Sequence, residues 1–335
     1  MRKDAIRIPD LMNAARQHEP GGELVFETIP VPRPGHGEVL VKMHSSPLNP
    51  SDLTLLNGGY LERNYPFTPG LEGSGVVVES GGGLMGKLRK GKWVACTPDA
   101  AGDGTWAEYM KTSAMRTVPL PGGITPEQGS MMLVNPMTAV ALVQIAKQRH
   151  HRALINNAAA SALGKMLIGL AEQSGLSLIN IVRRADQADE LRSLGAGFVL
   201  NSSDPSFEEQ LTKLAGDLKA TLVLDAVGGA QTTVLMRAAP HGSTLLIYAR
   251  LSGEPVQLDP GWMIQEGKKV EGFMLGHWLQ EQGIVSKLQL INRVKKGMSG
   301  ILSSSIRTTM PLEEITRAIP MYQKEMSSGK IIINL

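Results

Sequence analysis

The spacing of hydrophobic positions divides the chain into segments of two kinds. Up to about residue 120, short apolar runs such as Gly37–Lys42 and Gly75–Glu79 lie between turns rich in Gly and Pro, which predicts short strands. From about residue 151, apolar runs alternate with stretches of helical periodicity. The predicted strands are 152–157, 178–183, 197–201, 221–227 and 243–249, and the predicted helices are 161–174, 186–194, 206–215 and 230–239.

This alternation predicts an α/β architecture, because neighbouring parallel strands need a crossover that is usually a helix. After about residue 265 the pattern changes again, to a strand-like run, two helical stretches and a final strand at Lys330–Leu335. We therefore expect a doubly wound parallel sheet inserted into a β-rich domain. The predicted domains are 125–266 for the inserted unit and 1–124 plus 267–335 for the other.

Composition excludes several classes of protein. The net charge of +3 over 335 residues, without a basic tail, argues against a nucleic-acid partner. No apolar run reaches the roughly 20 residues of a membrane span, so we expect no membrane partner. The single cysteine, Cys96, excludes an internal disulfide and fits a reducing compartment. With no secretory signal pattern at the N-terminus, we expect a cytoplasmic protein.

The segment Ala153–Gly164 has the shape of a dinucleotide-binding turn, with a buried strand, a tight turn of small residues and a helix start. Ala159, Ser161 and Gly164 stand where such turns usually carry their three glycines. Small residues let the backbone approach a pyrophosphate, and the helix N-terminus holds its charge. We expect cofactor contacts from these three residues and from two neighbours at the helix start, Ala162 and Leu163.

Two arginines follow the next predicted strand. An acidic residue about twenty positions after the turn would bind the ribose of NAD, but this chain has Arg183 and Arg184. Guanidinium groups suit a 2′-phosphate, so the pair predicts NADPH, although the sequence does not decide which arginine binds it. Tyr248 and Ala249 end a later strand at the same sheet edge and are candidates for contact with nicotinamide.

Five segments together carry a resemblance to a known family. In chain order they are Val31–Val41, Asn49–Asp52, Pro69–Val77, Gly104–Tyr109 and Asn135–Ala139. They resemble the zinc-independent branch of the medium-chain dehydrogenase/reductase superfamily over essentially the whole chain. The resemblance implies a Rossmann domain inserted into a GroES-like catalytic domain, and a homodimer. Within the branch, the chain is most similar to 2-enoyl thioester reductases, followed by quinone oxidoreductases.

Zinc ligands are missing where the resemblance would place them. Zinc-containing members carry a cysteine and a Gly-His-Glu sequence in the first domain, whereas this chain has Asn49 and the sequence Gly70-Leu71-Glu72. Neither an asparagine nor a leucine replaces a thiolate or imidazole at a tetrahedral zinc site. We therefore expect no catalytic metal.

The resemblance also implies catalytic residues in the first domain. Tyr60 lies at the spacing of an active-site tyrosine in enoyl thioester reductases, where a phenol can hydrogen-bond the thioester carbonyl or deliver a proton. The alternative is a tyrosine packed in a turn. Asn49 is expected to shape the cleft or to hold substrate and nicotinamide in place, rather than to transfer a proton.

Further contacts are expected from two later segments. Thr138 lies by the nicotinamide end of the cofactor in the family and Asn135 by the substrate, although Thr138 is also explained as an ordinary capping residue. Met274 and Trp278 resemble residues that line an acyl pocket, with a core aromatic stripe as the alternative.

These features predict NADPH-dependent, zinc-independent reduction of an activated C=C bond in a small-molecule substrate. The favoured substrate is a 2-enoyl thioester linked to coenzyme A or to an acyl-carrier protein. An NADPH:quinone or alkenal oxidoreductase is the alternative enzyme. A second alternative is a nucleotide-binding protein of the same fold that has lost turnover. Chain length, pathway and proton donor stay open.

Overall fold

The computed structural model describes residues 7–59 and 63–335. The chain forms two compact units, the first comprising Met1–Val134 with Lys295–Leu335 and the second Asn135–Val294. Among the described residues, no helix combines the length and the apolar character that crossing a membrane requires.

The first unit is rich in strands. Its strands are β1 (Leu11–Gln17), β2 (Leu24–Pro30), β3 (Glu38–Pro47), β4 (Gly73–Ser80), β5 (Trp93–Cys96), β6 (Tyr109–Ser113), β7 (Thr117–Pro119), β14 (Ile306–Pro311) and β15 (Lys330–Asn334). Its helices are α1 (Pro50–Leu56), α2 (Leu84–Arg89), α3 (Pro126–Ser130) and α12 (Ile315–Lys324), with short 3-10 turns at Ala114–Arg116 and Leu312–Glu314.

The larger sheet of this unit has the order β14-β15-β3-β4-β5-β7, and β6 also pairs with β3. The pairing of β3 with both β4 and β6 is antiparallel, and so is that of β15 with β3. Val39, Val41 and Met43 of β3 pack in one buried cluster, and Leu40 between them packs in another. Buried residues are consecutive along β3, β4 and β5, so both faces of these strands are largely covered, which fits the short apolar runs in the sequence.

The second unit is built on a parallel sheet. Its strands are β8 (Ala153–Asn156), β9 (Ser177–Val182), β10 (Phe198–Asn201), β11 (Ala220–Asp225), β12 (Thr244–Ile247) and β13 (Lys269–Gly272). Its helices are α4 (Asn135–Gln148), α5 (Ala162–Gln173), α6 (Ala185–Ser193), α7 (Phe207–Leu218), α8 (Gly229–Ala238), α9 (Pro260–Glu266) and α10 (Leu275–Glu281); α11 (Ile284–Gly297) starts here.

The sheet order is β10-β9-β8-β11-β12-β13, so strand order reverses between β8 and β11. In a doubly wound sheet this reversal opens a crevice at the carboxyl ends of the strands, where ligands bind. β8 is buried along its whole length, and Ile155 is packed with residues of α7 and α8 in the core. The topology places the turn after β8 at the binding end of the sheet.

The predicted fold class is confirmed, and all predicted strands and helices of the inserted unit exist within a few residues. The unit boundaries differ from those predicted, lying at residue 135 instead of 125 and at 295 instead of 267. α3 packs on β3, β4 and β5, so it belongs to the first unit. β13 pairs with β12 and therefore extends the parallel sheet of the second.

Candidate active site

A buried polar network lies at the start of α1 in the first unit. Asn49 precedes α1 and is only 1% exposed. Its side-chain amide donates to Glu72 Oε1 at 3.1 Å, and its carbonyl oxygen accepts a hydrogen bond from Lys330 Nζ. Asp52 accepts from the backbone N–H groups of Asn49 at 2.8 Å and of Leu71 at 2.9 Å. The two segments singled out in the sequence are thus joined by direct hydrogen bonds.

Three ionisable groups of this network are fully buried. Burial raises the pKa of Asp52 to about 7, against the opposing effect of its two backbone donors and of Lys330. Burial likewise raises the pKa of Glu72 and lowers that of Lys330, which falls to about 8 while both carboxylates oppose the shift. Buried charges are tolerated only when they are paired and hydrogen-bonded, so these three groups depend on one another.

Glu72 also holds the end of the first unit. Its Oε2 atom accepts hydrogen bonds from the backbone N–H groups of Leu133 at 3.0 Å and Val134 at 2.8 Å. These residues immediately precede Asn135, the first residue of α4. Glu72 therefore links the Asn49 segment to the chain that leads into α4.

The side chains around Asn49 do not provide the ligands of a tetrahedral zinc site. The amide of Asn49 is engaged by Glu72 and Lys330, and Leu71 offers no side-chain ligand. Cys96 is buried on β5, where burial raises the pKa of its thiol. In the part of the chain that the structure describes, no group of three or more His, Cys, Asp or Glu side chains is arranged to hold a metal ion.

The dinucleotide turn connects β8 to α5 in the second unit. Ser161 is the N-cap of α5, and its hydroxyl accepts a hydrogen bond from the N–H of Gly164 at 3.1 Å. Ala158 has a positive φ of 49°, a conformation that turns the chain sharply but strains a residue other than glycine. Ala159 is fully buried and donates its N–H to the carbonyl of Ile181 at 3.2 Å, which ties the turn to β9.

Gly164 is the one turn position that admits no side chain. A Cβ there would lie 2.4 Å from the carbonyl oxygen of Ala159. We expect Gly164→Ala to destabilise the protein by about 1–3 kcal/mol, the usual cost of overpacking, and to weaken dinucleotide binding. Urea unfolding and cofactor titration measure the two effects.

Gly216→Ala provides a matched control, because a Cβ at this α7 position meets nothing within 4 Å. An added methyl group there should stabilise the helix by about 0.5–1 kcal/mol. Equal stability of the two variants would contradict the close approach at Gly164.

The two arginines after β9 differ in their surroundings. Both are exposed. Arg184 is the N-cap of α6 and donates from Nε and Nη2 to the carboxylate of Asp186, at 3.0 and 3.2 Å. Arg183 uses only its backbone, donating to Gln187 Oε1 and accepting from Ser203 Oγ. Its guanidinium has no ion pair or hydrogen bond to any residue in 7–59 or 63–335, so it is the better placed of the two to bind a phosphate.

A second polar network lies at the sheet reversal and has no counterpart in the sequence-based predictions. Asp225 ends β11 and accepts hydrogen bonds from Asn157 Nδ2 at 2.5 Å and Thr232 Oγ1 at 2.5 Å, with two further bonds from backbone N–H groups. The side-chain oxygen of Asn157 accepts a second hydrogen bond of this network, from the backbone N–H of Ala226. The network joins the carboxyl ends of β8 and β11. The available signal was Asn157 at the end of predicted strand 152–157 and Asp225 near the end of predicted strand 221–227.

Tyr248 and Ala249 directly follow β12, and both are half-buried. The N–H of Tyr248 donates to the carbonyl of Asp225 at 2.9 Å. Burial raises the pKa of the Tyr248 phenol, and nearby Asp225 adds to the shift. The hydroxyl is buried and has no hydrogen-bond partner among the residues described here. A buried hydrogen-bond donor without a partner destabilises a folded protein, and a bound ligand that accepts a hydrogen bond would remove this cost.

The remaining predicted residues lie on α4 and α10, which pack against each other. Asn135 starts α4 with Pro136 next to it, so the proline begins the helix and does not interrupt one. Thr138 is buried. Met274 is the N-cap of α10, and its carbonyl accepts from the N–H of Trp278 at 3.0 Å. This pairing brings the two predicted segments of the second unit together.

Three observations indicate that the second unit is suited to binding a dinucleotide. The turn admits no side chain at Gly164, the α5 N-terminus follows a serine cap, and the buried hydroxyl of Tyr248 lacks a partner among the described residues. Tyr60 lies outside the described residues, so its role stays a prediction. Glu72 and Lys330 were not predicted as partners of Asn49, and Lys330 is 281 positions away from it in the chain.

Comparison with known proteins agrees with this architecture. The model of the "Alcohol dehydrogenase GroES-like domain" family matches residues 35–122, and that of the "Zinc-binding dehydrogenase" family matches residues 162–290. The mitochondrial enoyl-[acyl-carrier-protein] reductase of Xenopus tropicalis is 30% identical over 94% of this chain and 92% of its own length. The human enzyme of that name is 30% identical over 89% of this chain and 81% of its own length.

Solved structures show the same fold. A candidate NADPH:quinone reductase from Mesorhizobium loti has a TM-score of 0.91 and 32% identity, covering 98% of this chain and all of that one. The quinone oxidoreductase from Thermus thermophilus, also solved with NADPH, has a TM-score of 0.79 and 25% identity, covering 97% of this chain and all of its own. The chain belongs to the medium-chain dehydrogenase/reductase superfamily of oxidoreductases.

Proposed function

We propose that the protein catalyses the NADPH-dependent, zinc-independent reduction of the activated C=C bond of a 2-enoyl thioester. The observation that carries the proposal is the environment of Asn49. Its neutral side-chain amide is hydrogen-bonded to Glu72 and Lys330, at the position where the family resemblance would place a metal ligand. Without a Lewis acid, oxidation of an alcohol loses its usual means of stabilising the alkoxide. A conjugated thioester needs no metal, because its own carbonyl accepts the charge that hydride transfer produces.

The residues of the second unit hold the cofactor. When bound, NADPH supplies a hydride to the β-carbon of the substrate. Ser161, Ala162 and Leu163 present the start of α5 to the pyrophosphate. The guanidinium of Arg183, which has no partner among the described residues, binds the 2′-phosphate by charge-assisted hydrogen bonds. The contacts with nicotinamide come from Thr138, Tyr248 and Ala249.

In the first unit, the residue assigned to the reacting end of the substrate is Tyr60. Tyr60 donates a hydrogen bond to the thioester carbonyl and thereby stabilises the enolate. Asn49, held by its buried partners, keeps that segment in place. Asn135, Met274 and Trp278 line the substrate pocket, and the indole and thioether suit an acyl chain.

Quinones or alkenals are the alternative substrates. The structural match to the Mesorhizobium loti protein supports them, whereas the sequence matches to mitochondrial enoyl reductases support a thioester. Both classes accept a hydride without a metal. The substrate pocket therefore has to be tested directly.

A panel of acceptors tests the function. We expect NADPH oxidation with crotonyl-CoA to be faster than with quinones or alkenals, without stoichiometric zinc in the purified protein. Tyr60→Phe should lower kcat by about 10²–10⁴, the range for a lost acid or polarising group. Tyr65→Phe is the control for a nearby phenol.

Three results would contradict parts of this proposal. Faster turnover of quinones would favour the alternative enzyme, and stoichiometric zinc would remove the metal-free mechanism. Unchanged crotonyl-CoA turnover in Tyr60→Phe would remove the tyrosine's role. A protein that binds NADPH but oxidises it with none of the acceptors would be the non-catalytic alternative.

We further propose a homodimer in the cytoplasm, as expected from the sequence. β13 ends the parallel sheet, and an unpaired strand edge offers backbone groups to a second copy. Val270 on this strand and Ile264 on neighbouring α9 are exposed, at 39% and 81%. Light scattering should therefore give a dimer mass, and a monomeric mass at micromolar concentration would refute it. The single cysteine fits a reducing compartment, and cell fractionation tests the cytoplasmic assignment.

A further inference from the structure

One exposed surface of the first unit combines apolar and basic side chains. Leu84 and Leu88 lie one helical turn apart on α2, and Met115 lies in the 3-10 turn that packs against α2. Their exposed fractions are 75%, 54% and 73%. Three exposed lysines lie in the same segment, Lys87 on α2 and Lys90 and Lys92 just after it. We call these six residues the α2 surface.

A rigid support presents the α2 surface. The preceding Gly81 admits no side chain, since a Cβ would lie 2.0 Å from the carbonyl oxygen of Gly35. Gly86 is buried within α2, where a Cβ would lie 2.4 Å from Ser80 Oγ. Arg89 Nε donates to Thr117 Oγ1 at 3.2 Å and so ties the end of α2 to β7. The leucines are therefore held in a fixed, outward-facing position.

The positive charge of the α2 surface is not compensated. Residues 80–98 contain four basic residues and no acidic residue. Lys87, Lys90 and Lys92 have no ion pair with any residue that the structure describes, whereas Arg116 nearby is paired with Asp99 at 2.9 Å. Lys295 adds a further positive charge, because it lies near enough to Arg89 for the two to repel. The small net charge of the whole chain conceals this local concentration.

Exposed aliphatic side chains and lysines in the same surface are suited to binding an anionic lipid surface. Leucine and methionine favour the acyl region, while lysines keep their charged ends at the headgroups. Side chains that keep half to three quarters of their surface exposed stand out from the protein and do not line a groove for a partner helix. The α2 surface therefore protrudes from its surroundings and is basic, which suits contact with a membrane surface.

The position of the surface argues against delivery of a carrier-bound substrate. The eight residues of β4 separate Glu72 from α2, which is about 26 Å at roughly 3.3 Å per residue. The Asn49 network and the α2 surface thus lie at opposite ends of this strand. A protein that docks at α2 to present an acyl group would hold it at the wrong end.

We propose that the α2 surface attaches the protein to anionic membranes, with Leu84, Leu88 and Met115 entering the headgroup boundary and the three lysines binding lipid phosphates. This goes beyond the expectation of no membrane partner, which was based on the absence of a spanning segment. Peripheral attachment needs no span. It is also independent of which acceptor the enzyme reduces.

Cosedimentation of the full chain with vesicles tests the proposal. We expect binding to phosphatidylglycerol-rich vesicles, release by salt, and no binding to pure phosphatidylcholine. Reversing Lys87, Lys90 and Lys92 to Glu should weaken partitioning at least about a hundredfold, from roughly a fivefold contribution of each basic residue. Replacing the three apolar residues by serine should weaken it while leaving salt sensitivity intact.

The matched control is Lys147→Glu/Lys213→Glu/Lys324→Glu, which changes the net charge equally at exposed lysines elsewhere. It should bind far better than the α2 charge reversal. Equal losses in the two variants, or no vesicle binding by the wild type, would overturn the proposal. Retention on a polyglutamate resin without vesicle binding would assign the surface to an acidic protein and also overturn it. NADPH oxidation without vesicles should be unchanged in the α2 variants, which confirms that they fold.

Discussion

Arg183→Ala is expected to raise the KM for NADPH about 10–100-fold while leaving the KM for NADH nearly unchanged. The expected loss is that of charge-assisted hydrogen bonds to a phosphate, about 1.5–3 kcal/mol. Only NADPH carries the 2′-phosphate, so the effect should be confined to it. Initial-rate kinetics with both cofactors and one fixed acceptor measure the preference directly.

Arg184→Ala distinguishes the two arginines. Arg184 is already held by Asp186, so removing it should change the preference much less. Arg192→Ala, which removes an exposed arginine paired with Asp189 on the same helix, controls for net charge. If Arg183→Ala leaves the ratio of NADPH to NADH efficiency as it was, the phosphate assignment is wrong.

Lys330→Met is expected to destabilise the protein by about 3–5 kcal/mol, the usual cost of breaking a buried ion pair. The substitution keeps a long apolar side chain but leaves Asp52 and Glu72 without their buried cation. It also removes the hydrogen bonds to the Leu48 carbonyl and to Asn49 Oδ1. Urea unfolding monitored by circular dichroism measures the loss.

A double-mutant cycle shows whether the loss comes from charge. Glu72→Gln removes one carboxylate charge in the same network. If the charges are coupled, Lys330→Met/Glu72→Gln should lose less than the sum of the two single variants, by about 0.5–3 kcal/mol. Strict additivity would show that the charges of Lys330 and Glu72 are not coupled.

The second unit illustrates how much of the fold is predictable. Its inner strands, such as β8 and β9, are buried on both faces, so each appears as a short apolar run, and its helices carry their own periodicity. The helix start at Ser161 was visible because a serine cap is a local signal. The unit boundaries were less well predicted, because α3 and β13 are assigned by what they pack on.

The candidate site shows the corresponding limit. Asn49, Arg183 and Arg184 were identified from motifs, but their partners were not. Asn49 proved to be committed to buried charges, and Asp186 distinguished the two arginines by pairing with one of them. Partnerships of this kind depend on side-chain positions that no local pattern encodes.

The sequence by itself determined the alternation of strands and helices, the small-residue turn at Ala159–Gly164, and the presence of Asn49 and Leu71 at positions where the family resemblance would place zinc ligands. These are local properties, because periodicity, turn chemistry and residue type can be assessed within a short window. Only the tertiary structure decided that Lys330 meets Asn49 and that the guanidinium of Arg183 is unpaired among the described residues. Such contacts follow from packing between segments far apart in the chain, where burial and pairing set the energy of each charge.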